Sequence, residues 1–287
     1  RYMDPTLGAG SRVVNNGEMR NRGVELSLTT NIIRKKDWNF AVDFNFDYNK
    51  NKMLKVDHSE SDNARVFIAS PQVYFMEGTS YNTLWAYRIH RIENGYPVAV
   101  DKDGNDLVKF NEDGTVASIT SGSSLKGTDD LVNLGSLTPK FSGSVGLRFN
   151  YKNFDLNIYF YGEAGRKRGA SYYEGWTRMD NGINVSTYAL KAFSSNNLTA
   201  TDPTYVRGGN GWGDYYVKSI YYVRCGSITL GYKVPISQKI VNNLRVYVDV
   251  NNPFVITNWT GLDPETDNGT YAYPNVTSYN FGVSISF

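Results

Sequence analysis

The stretch Lys140–Gly162, KFSGSVGLRFNYKNFDLNIYFYG, decides how the chain is read. Phe141, Val145, Leu147, Phe149 and Tyr151 share one phase of a period-two alternation, and Ser142, Ser144, Arg148 and Asn150 share the other. Such a segment is a strand with one apolar and one polar face. After Lys152 and Asn153 the alternation restarts, with Phe154, Leu156, Ile158 and Phe160 against Asp155 and Asn157. The spacing predicts two antiparallel strands joined by a minimal turn. Related alternation returns along the chain, so the sequence reads as a large antiparallel barrel whose polar face lines the inside.

Length decides what the apolar face meets. In WNFAVDFNFDY, Trp38, Phe40, Val42, Phe44, Phe46 and Tyr48 oppose Asn39, Asp43, Asn45 and Asp47. Ten steps of roughly 3.3 Å at a tilt of about 40° rise about 25 Å, the height of the apolar band of an outer-membrane barrel. Trp38 and Tyr48 then fall at the two interfaces, where amphipathic rings are favoured. A soluble sandwich with one solvated face is the competing reading, and its strands are usually only about 5–6 residues long.

Composition narrows the classes. Aromatic residues make up 14 % of the chain, with 22 Tyr and 27 Gly among 287 residues, which is high for an ordinary soluble protein. Mean hydropathy is −0.44, and no apolar run approaches the ~18 residues of a membrane helix, which leaves a barrel open because its strands dilute their hydrophobicity by half. A net charge of +2 without a basic cluster speaks against nucleic acid. Cys225 is the sole cysteine, so neither an internal disulfide nor a cysteine metal set is expected. Arg1–Gly10 has no apolar core, so an exported protein of this sequence is expected to be a mature or truncated piece.

Strands are expected at about Met19–Ile33, at Trp38–Tyr48, in the hairpin above, at Tyr221–Pro235, at Leu244–Ile256 and at Tyr279–Phe287. Arg65–Met76 is apolar without clean alternation, whereas Tyr81–Ile92 puts Tyr81, Trp85, Tyr87 and Ile89 in phase. In the Tyr221 strand, Arg224 and Gly226 fall in the apolar phase, which indicates a bulge or a snorkelling rim residue. The polar insertion Glu93–Pro139 contains DKDGND and NEDG. Asp101, Asp103, Asn105 and Asp106 form a candidate calcium cluster, but the glycine is misplaced for an EF-hand loop, and no metal or other cofactor is expected. The plainer reading is two hairpin turns with Gly104 and Gly114 in the left-handed region. A second insertion, Arg166–Tyr216, sets Tyr172, Tyr173, Trp176, Tyr205 and Trp212 among glycines; these rings suit either ligand or partner contact or packing within the loop.

Outer-membrane barrels have short periplasmic turns and long external loops. Arg34–Asp37, Lys152–Asn153 and Ile236–Asn242 are the short links, so the last strand descends and the C-terminus is periplasmic. Between the first two links the number of crossings must be even. Arg65–Met76 is therefore paired with Tyr81–Ile92, which gives about nine strands. An odd count with an unpaired first edge reads as the last part of a longer chain.

Six blocks carry a resemblance: NNGEMRNRGVELSLTTNII, WNFAVDFNFDYNKNK, PKFSGSVGLRFNYKNFDLNIYFYGEAG, YYVRCGSITLGYKVP, LRVYVDVNNPFVITNWTGLDPE and YNFGVSISF. In that order they resemble the C-terminal region of SusC-like TonB-dependent transporters of Bacteroidetes. The resemblance implies that residues 1–287 are the C-terminal portion of a 22-stranded outer-membrane β-barrel, its N-terminal plug and earlier strands lying outside this chain. It implies TonB-energised import of a glycan or peptide ligand with a SusD-like surface lipoprotein, TonB acting through the absent N-terminal region, and dimers of transporter–lipoprotein pairs. The family often carries an acidic D-x-N-x-D-G loop, whereas in DKDGND the glycine is displaced. The closing Tyr279, Phe281, Val283, Ile285 and Phe287 resemble the signal read by the outer-membrane assembly machinery. No enzyme is expected: a rim hydrolase needs Ser, Asp and His together, and only His58 and His90 exist. A passive porin is the remaining alternative.

Overall fold

The computed structural model describes residues 17–55, 72–74, 76–119, 131–169, 187–191, 213–215, 217–236, 241–266 and 273–287. In chain order the strands are β1 (Glu18–Arg34), β2 (Trp38–Lys55), β3 (Gln72–Tyr74), β4 (Thr83–Ala86), β5 (Arg88–Glu93), β6 (Tyr96–Val100), β7 (Val108–Phe110) and β8 (Val116–Ile119). They continue with β9 (Val132–Ser136), β10 (Phe141–Tyr151), β11 (Phe154–Gly169), β12 (Val217–Val234), β13 (Asn243–Thr257) and β14 (Ser278–Ser286). Among the described residues a 3-10 turn, Thr187–Lys191, lies between β11 and β12. No helix among the described residues is long and apolar enough to cross a membrane.

Seven long strands form one antiparallel sheet in the order β1-β2-β10-β11-β12-β13-β14. Its register follows from the alternation. Across β10 and β11, Val145 faces Phe160, Leu147 faces Ile158 and Phe149 faces Leu156. On the other side of β10 the same residues face Phe44, Val42 and Phe40. A slip of one residue would turn every apolar side chain to the polar face. Phe40 and Phe149 stack at 4.3 Å, and Phe154 lies 4.7 Å from Tyr232. Trp38, Tyr151, Phe154 and Tyr232 thus line one end of four successive strands as an aromatic row, and Tyr48 meets Phe141, 5.1 Å away, at the other end. Lys152 takes a positive φ of 50° in the two-residue turn between β10 and β11.

The sheet differs from expectation in strand number. β2 pairs directly with β10, so the described sheet has seven strands, and neither the described part of Arg65–Met76 nor Tyr81–Ile92 enters it. Of the first segment the described strand is β3, which pairs with β4 and, through it, with β9. The second segment breaks at Tyr87 into β4 and β5, and β5 pairs with β6. Of its in-phase residues, Tyr87 is buried in a small hydrophobic core with Ala99, Leu107 and Leu131, Trp85 and Ile89 pack against that core, and Tyr81 stays exposed. Alternation is the same for a lipid-facing strand and a half-buried soluble one, and only length separates them. The parity argument survives, because zero crossings is also an even number.

By compactness the described residues fall into two units. One takes the described parts of Arg1–Asn21, Asn51–Thr138 and Lys167–Lys218; it holds the short hairpins and the small core. Within it, Asp214 Oδ1 accepts the Ile89 N–H, and the Asp214 N–H donates to the Tyr87 carbonyl, stitching the second insertion to the Tyr81–Ile92 segment. The other takes Arg22–Lys50, Pro139–Arg166 and Ser219–Phe287, the greater part of the long sheet.

Candidate functional site

The polar face of the long sheet carries several hydrogen-bonded clusters. Ser27 donates to Asn45, whose amide donates to Ser144; Thr29 and Arg148 both bind Asp43. Arg245 on β13 reaches over Gly231 on β12 to Asp155 on β11, with Nε 2.9 Å from Oδ1. Further along, Thr229 donates to Asp249, which also accepts from Asn251 and Asn280.

The most buried part of this face is centred on Arg224, the residue whose phase is wrong in the sequence. The register shifts between Cys225 and Ser227, where Gly226 on β12 stands opposite two residues of β13, Asn252, at φ 50°, and Pro253. Beyond it Ile228, Leu230 and Tyr232 pair with Val250, Val248 and Val246, whereas before it Val223 pairs with Ile256. The faces of β12 exchange phase across this shift, Val223 being exposed before it and Leu230 after it, so Arg224 lies on the polar face, which settles the choice between bulge and snorkelling rim in favour of the bulge. Arg224 is 2 % exposed and Asp263 3 %. Arg224 donates to Asp263 Oδ2 at 2.7 Å and to Glu265 Oε2 at 3.0 Å. Tyr161 and Asn275 also donate to Glu265, and Arg166 holds the Pro264 carbonyl. The loop that follows β13 is thereby clamped onto the polar face.

Asp263 is well chosen for this. Burial works against its charge, but the N–H groups of Glu265 and Thr266 and the Arg224 guanidinium outweigh it and hold its pKa below the ordinary carboxylate value. Every oxygen is occupied, since Oδ1 takes the Glu265 and Thr266 amides and Oδ2 takes Arg224 and the Asn275 amide. The arrangement binds and positions. Beside the clamp the polar face holds a cavity of about 680 Å3, lined by Tyr159, Tyr161, Tyr222, Glu163, Glu265 and Ser144 among others. Aromatic rings with polar edges next to carboxylates suit a polar, hydrogen-bonding occupant.

The other sequence candidates are placed as follows. Tyr172, Tyr173, Trp176, Tyr205 and Trp212 lie outside the described residues, as does His58. His90 is exposed on β5. Tyr279, Phe281, Val283 and Ile285 lie on β14 opposite Val250, Val248, Val246 and Leu244, and Phe287 follows, all five strongly exposed. Asp101 to Asp106 form a turn: Asp101 Oδ1 accepts the N–H groups of Asp103 and Asn105, Oδ2 accepts the Asn105 amide, and Gly104 takes φ 86°. Asp106 pairs with Arg91 through both oxygens. Asp113 and Thr115 build the second turn around Gly114, at φ 81°. The expected pair of hairpin turns is what these residues make.

Sequence reasoning flagged Arg224 through its broken phase but did not find its partners. Asp263 and Glu265 lie 39 and 41 residues away in a segment that reads as loop. GLDPE was visible only as part of a family block.

No family model matches the chain. It is 26 % identical to TonB-dependent receptor P3 of Formosa agariphila over 98 % of this chain and 30 % of that protein. It is 29 % identical to TonB-dependent receptor SusC of Bacteroides thetaiotaomicron over 95 % of this chain and 27 % of that protein. The chain therefore spans less than a third of the length of these relatives. Among solved structures, the RagAB peptide transporter superposes on all of this chain and 31 % of its own, with a TM-score of 0.75 at 23 % identity, a likeness of fold. In sequence the chain is similar to SusC and other TonB-dependent receptors, and in fold it is similar to part of the RagAB transporter.

Proposed function

We propose that this chain supplies the C-terminal strands of an outer-membrane barrel that imports a large nutrient, energised by TonB and working with a SusD-like surface lipoprotein. The observation that carries the reading is the inverted sheet: apolar side chains point outward while Arg224, Asp263 and their partners are buried on the inner face. A sheet solvated by lipid outside and by water or a plug inside has this distribution. The likeness to TonB-dependent receptors supports the energy coupling, and the likeness to a peptide transporter favours a peptide over a glycan. In this reading the C-terminus is periplasmic. Tyr172, Tyr173, Trp176, Tyr205 and Trp212 contact ligand or lipoprotein, and Tyr279 to Phe287 serve barrel assembly. The test is uptake of labelled oligopeptides and oligosaccharides by cells carrying the full-length protein, with and without TonB. Uptake that stops without TonB supports the proposal; uptake that persists identifies a passive porin.

A further inference from the structure

The outward face of the long sheet carries a feature of its own, and its reading rests on the membrane assignment just proposed. Gly143 and Gly162 face each other across β10 and β11 in the outward phase. Strands approach so closely there that a Cβ on Gly143 would lie 2.8 Å from the Asn45 carbonyl oxygen, and one on Gly162 would overlap that of Tyr222. The bare positions leave a groove of about 430 Å3, walled by Phe44, Phe46, Phe141, Val145, Phe160 and Val223. Gly143 lies eight residues beyond Tyr151 and its aromatic row, which is about 20 Å along the barrel axis at the usual rise and tilt. The groove thus opens in the outer half of the apolar band.

Cations stand above it. The hydrogen bonds Ser27–Asn45 and Thr29–Asp43 fix the register of β1 on β2, and that register places Arg22 opposite Lys50, one pleat beyond Val24 and Tyr48 in the outward phase. Both are exposed, and no ion pair engages either among the described residues. Like charges directly opposite each other destabilise a sheet. An anion between them removes that repulsion.

We propose that this face holds one lipid of the outer leaflet that bears phosphate on its headgroup, with an acyl chain in the groove and the phosphate between Arg22 and Lys50. A neutral lipid fills the groove and leaves the cations repelling; free phosphate pairs the cations and leaves the groove bare. Only a phosphorylated lipid satisfies both, since outer-half depth and rim charge coincide on adjacent strands.

The full-length protein, purified in detergent and stripped of lipid, is titrated with diphosphoryl lipid A, with dephosphorylated lipid A and with inorganic phosphate, and bound species are counted by native mass spectrometry. The expected result is one retained diphosphoryl lipid A, bound about tenfold better than the dephosphorylated form. Arg22→Gln with Lys50→Gln should reduce that binding about tenfold, as should Ala164→Phe, which fills the groove from its rim. Unchanged binding by the double variant overturns the proposal. So does equal retention of the dephosphorylated lipid, displacement of the lipid by millimolar inorganic phosphate, or a polypeptide retained on this face in place of lipid. Fractionation separates this from the membrane reading: wild-type protein recovered in the soluble fraction refutes the barrel itself, whereas a membrane-bound variant of normal heat resistance that has lost its lipid supports the site.

Discussion

The two units solve opposite solvent problems with the same alternation. In the unit of short hairpins, Tyr87, Ala99, Leu107 and Leu131 point inward, away from water. In the long sheet, Val24, Ile256 and Phe281 are exposed by 63, 60 and 83 %, while an arginine and an aspartate are buried. Period two therefore reports that a strand has two unlike faces; it does not report which face is inside. What tells the units apart is strand length and the buried charge, which in the long sheet sits where a soluble protein keeps its core.

Breaking the buried charge should have the largest effect. Arg224→Ala leaves Asp263 and Glu265 without their cation in a buried setting, and loss of one partner from such a pair typically costs about 3–5 kcal/mol. The full-length protein should lose much of its heat resistance on semi-native gels, and the loop after β13 should become protease-sensitive. Replacing Arg224 with Met and Asp263 with Leu together should restore only part of the loss, because Glu265 still lacks its cation and the Glu265, Thr266 and Asn275 N–H groups lose their acceptor. If Arg224→Ala melts like the parent, the clamp does not hold the loop.

The small core tests the other side of the comparison. Leu107→Ala removes buried methyl groups, and such truncations cost about 2–5 kcal/mol. Limited proteolysis should show the hairpin unit opening while the heat resistance of the long sheet is unchanged. Loss of both together would mean that the two units unfold as one.

Lipid exposure is tested by charge on the outward face. Val42→Arg should cost about 2–4 kcal/mol at mid-bilayer. Asn45→Lys, on the polar face beside Ser27 and Ser144, should cost about 0.5 kcal/mol or less, as surface substitutions usually do. Asp43 is a poorer control, since it forms an ion pair with Arg148 that a cation at this position would turn into repulsion. Refolding into vesicles over a urea series measures both, and equal costs would reject the lipid-facing assignment.

These variants also mark what was legible in the sequence. The β10–β11 hairpin, its turn at Lys152 and the faces of Trp38 to Tyr48 follow from alternation, because apolar residues must stack against apolar residues once the register is set. The direct pairing of β2 with β10 was not legible. Tyr81, Trp85, Tyr87 and Ile89 alternate as well as a membrane strand does, and nothing local states that Tyr87 meets Leu107 and Leu131. Arg224 announced a bulge through its phase. Its carboxylates did not announce themselves, because an ion pair across 39 residues leaves no periodic trace.

The smallest expected effect compares two ion pairs. Arg91 in the hairpin unit donates to Asp106 and Glu93, and its side chain and that of Asp106 remain 39 and 36 % exposed. Hydrogen bonding to Arg91 holds the Asp106 carboxyl below the ordinary carboxylate value, and bonding to Asp106 and Glu93 raises the Arg91 pKa further. A carboxylate whose folded pKa is depressed contributes stability that is complete above its unfolded pKa of about 3.9 and is lost as pH falls through the folded value. Neither this pair nor Arg224–Asp263, whose carboxylate is shifted in the same direction, should weaken between pH 8 and pH 5. Salt distinguishes them. At about 1 M ionic strength the screening length is about 3 Å, so the exposed pair should lose most of the roughly 0–1 kcal/mol such pairs contribute, while the buried pair is little affected. Arg91→Gln should therefore shift the protease resistance of the hairpin unit slightly at low salt and not at high salt, whereas the cost of Arg224→Ala should be the same in both. A salt-independent Arg91→Gln effect would show that Arg91 acts through packing of its stem and not through its charge.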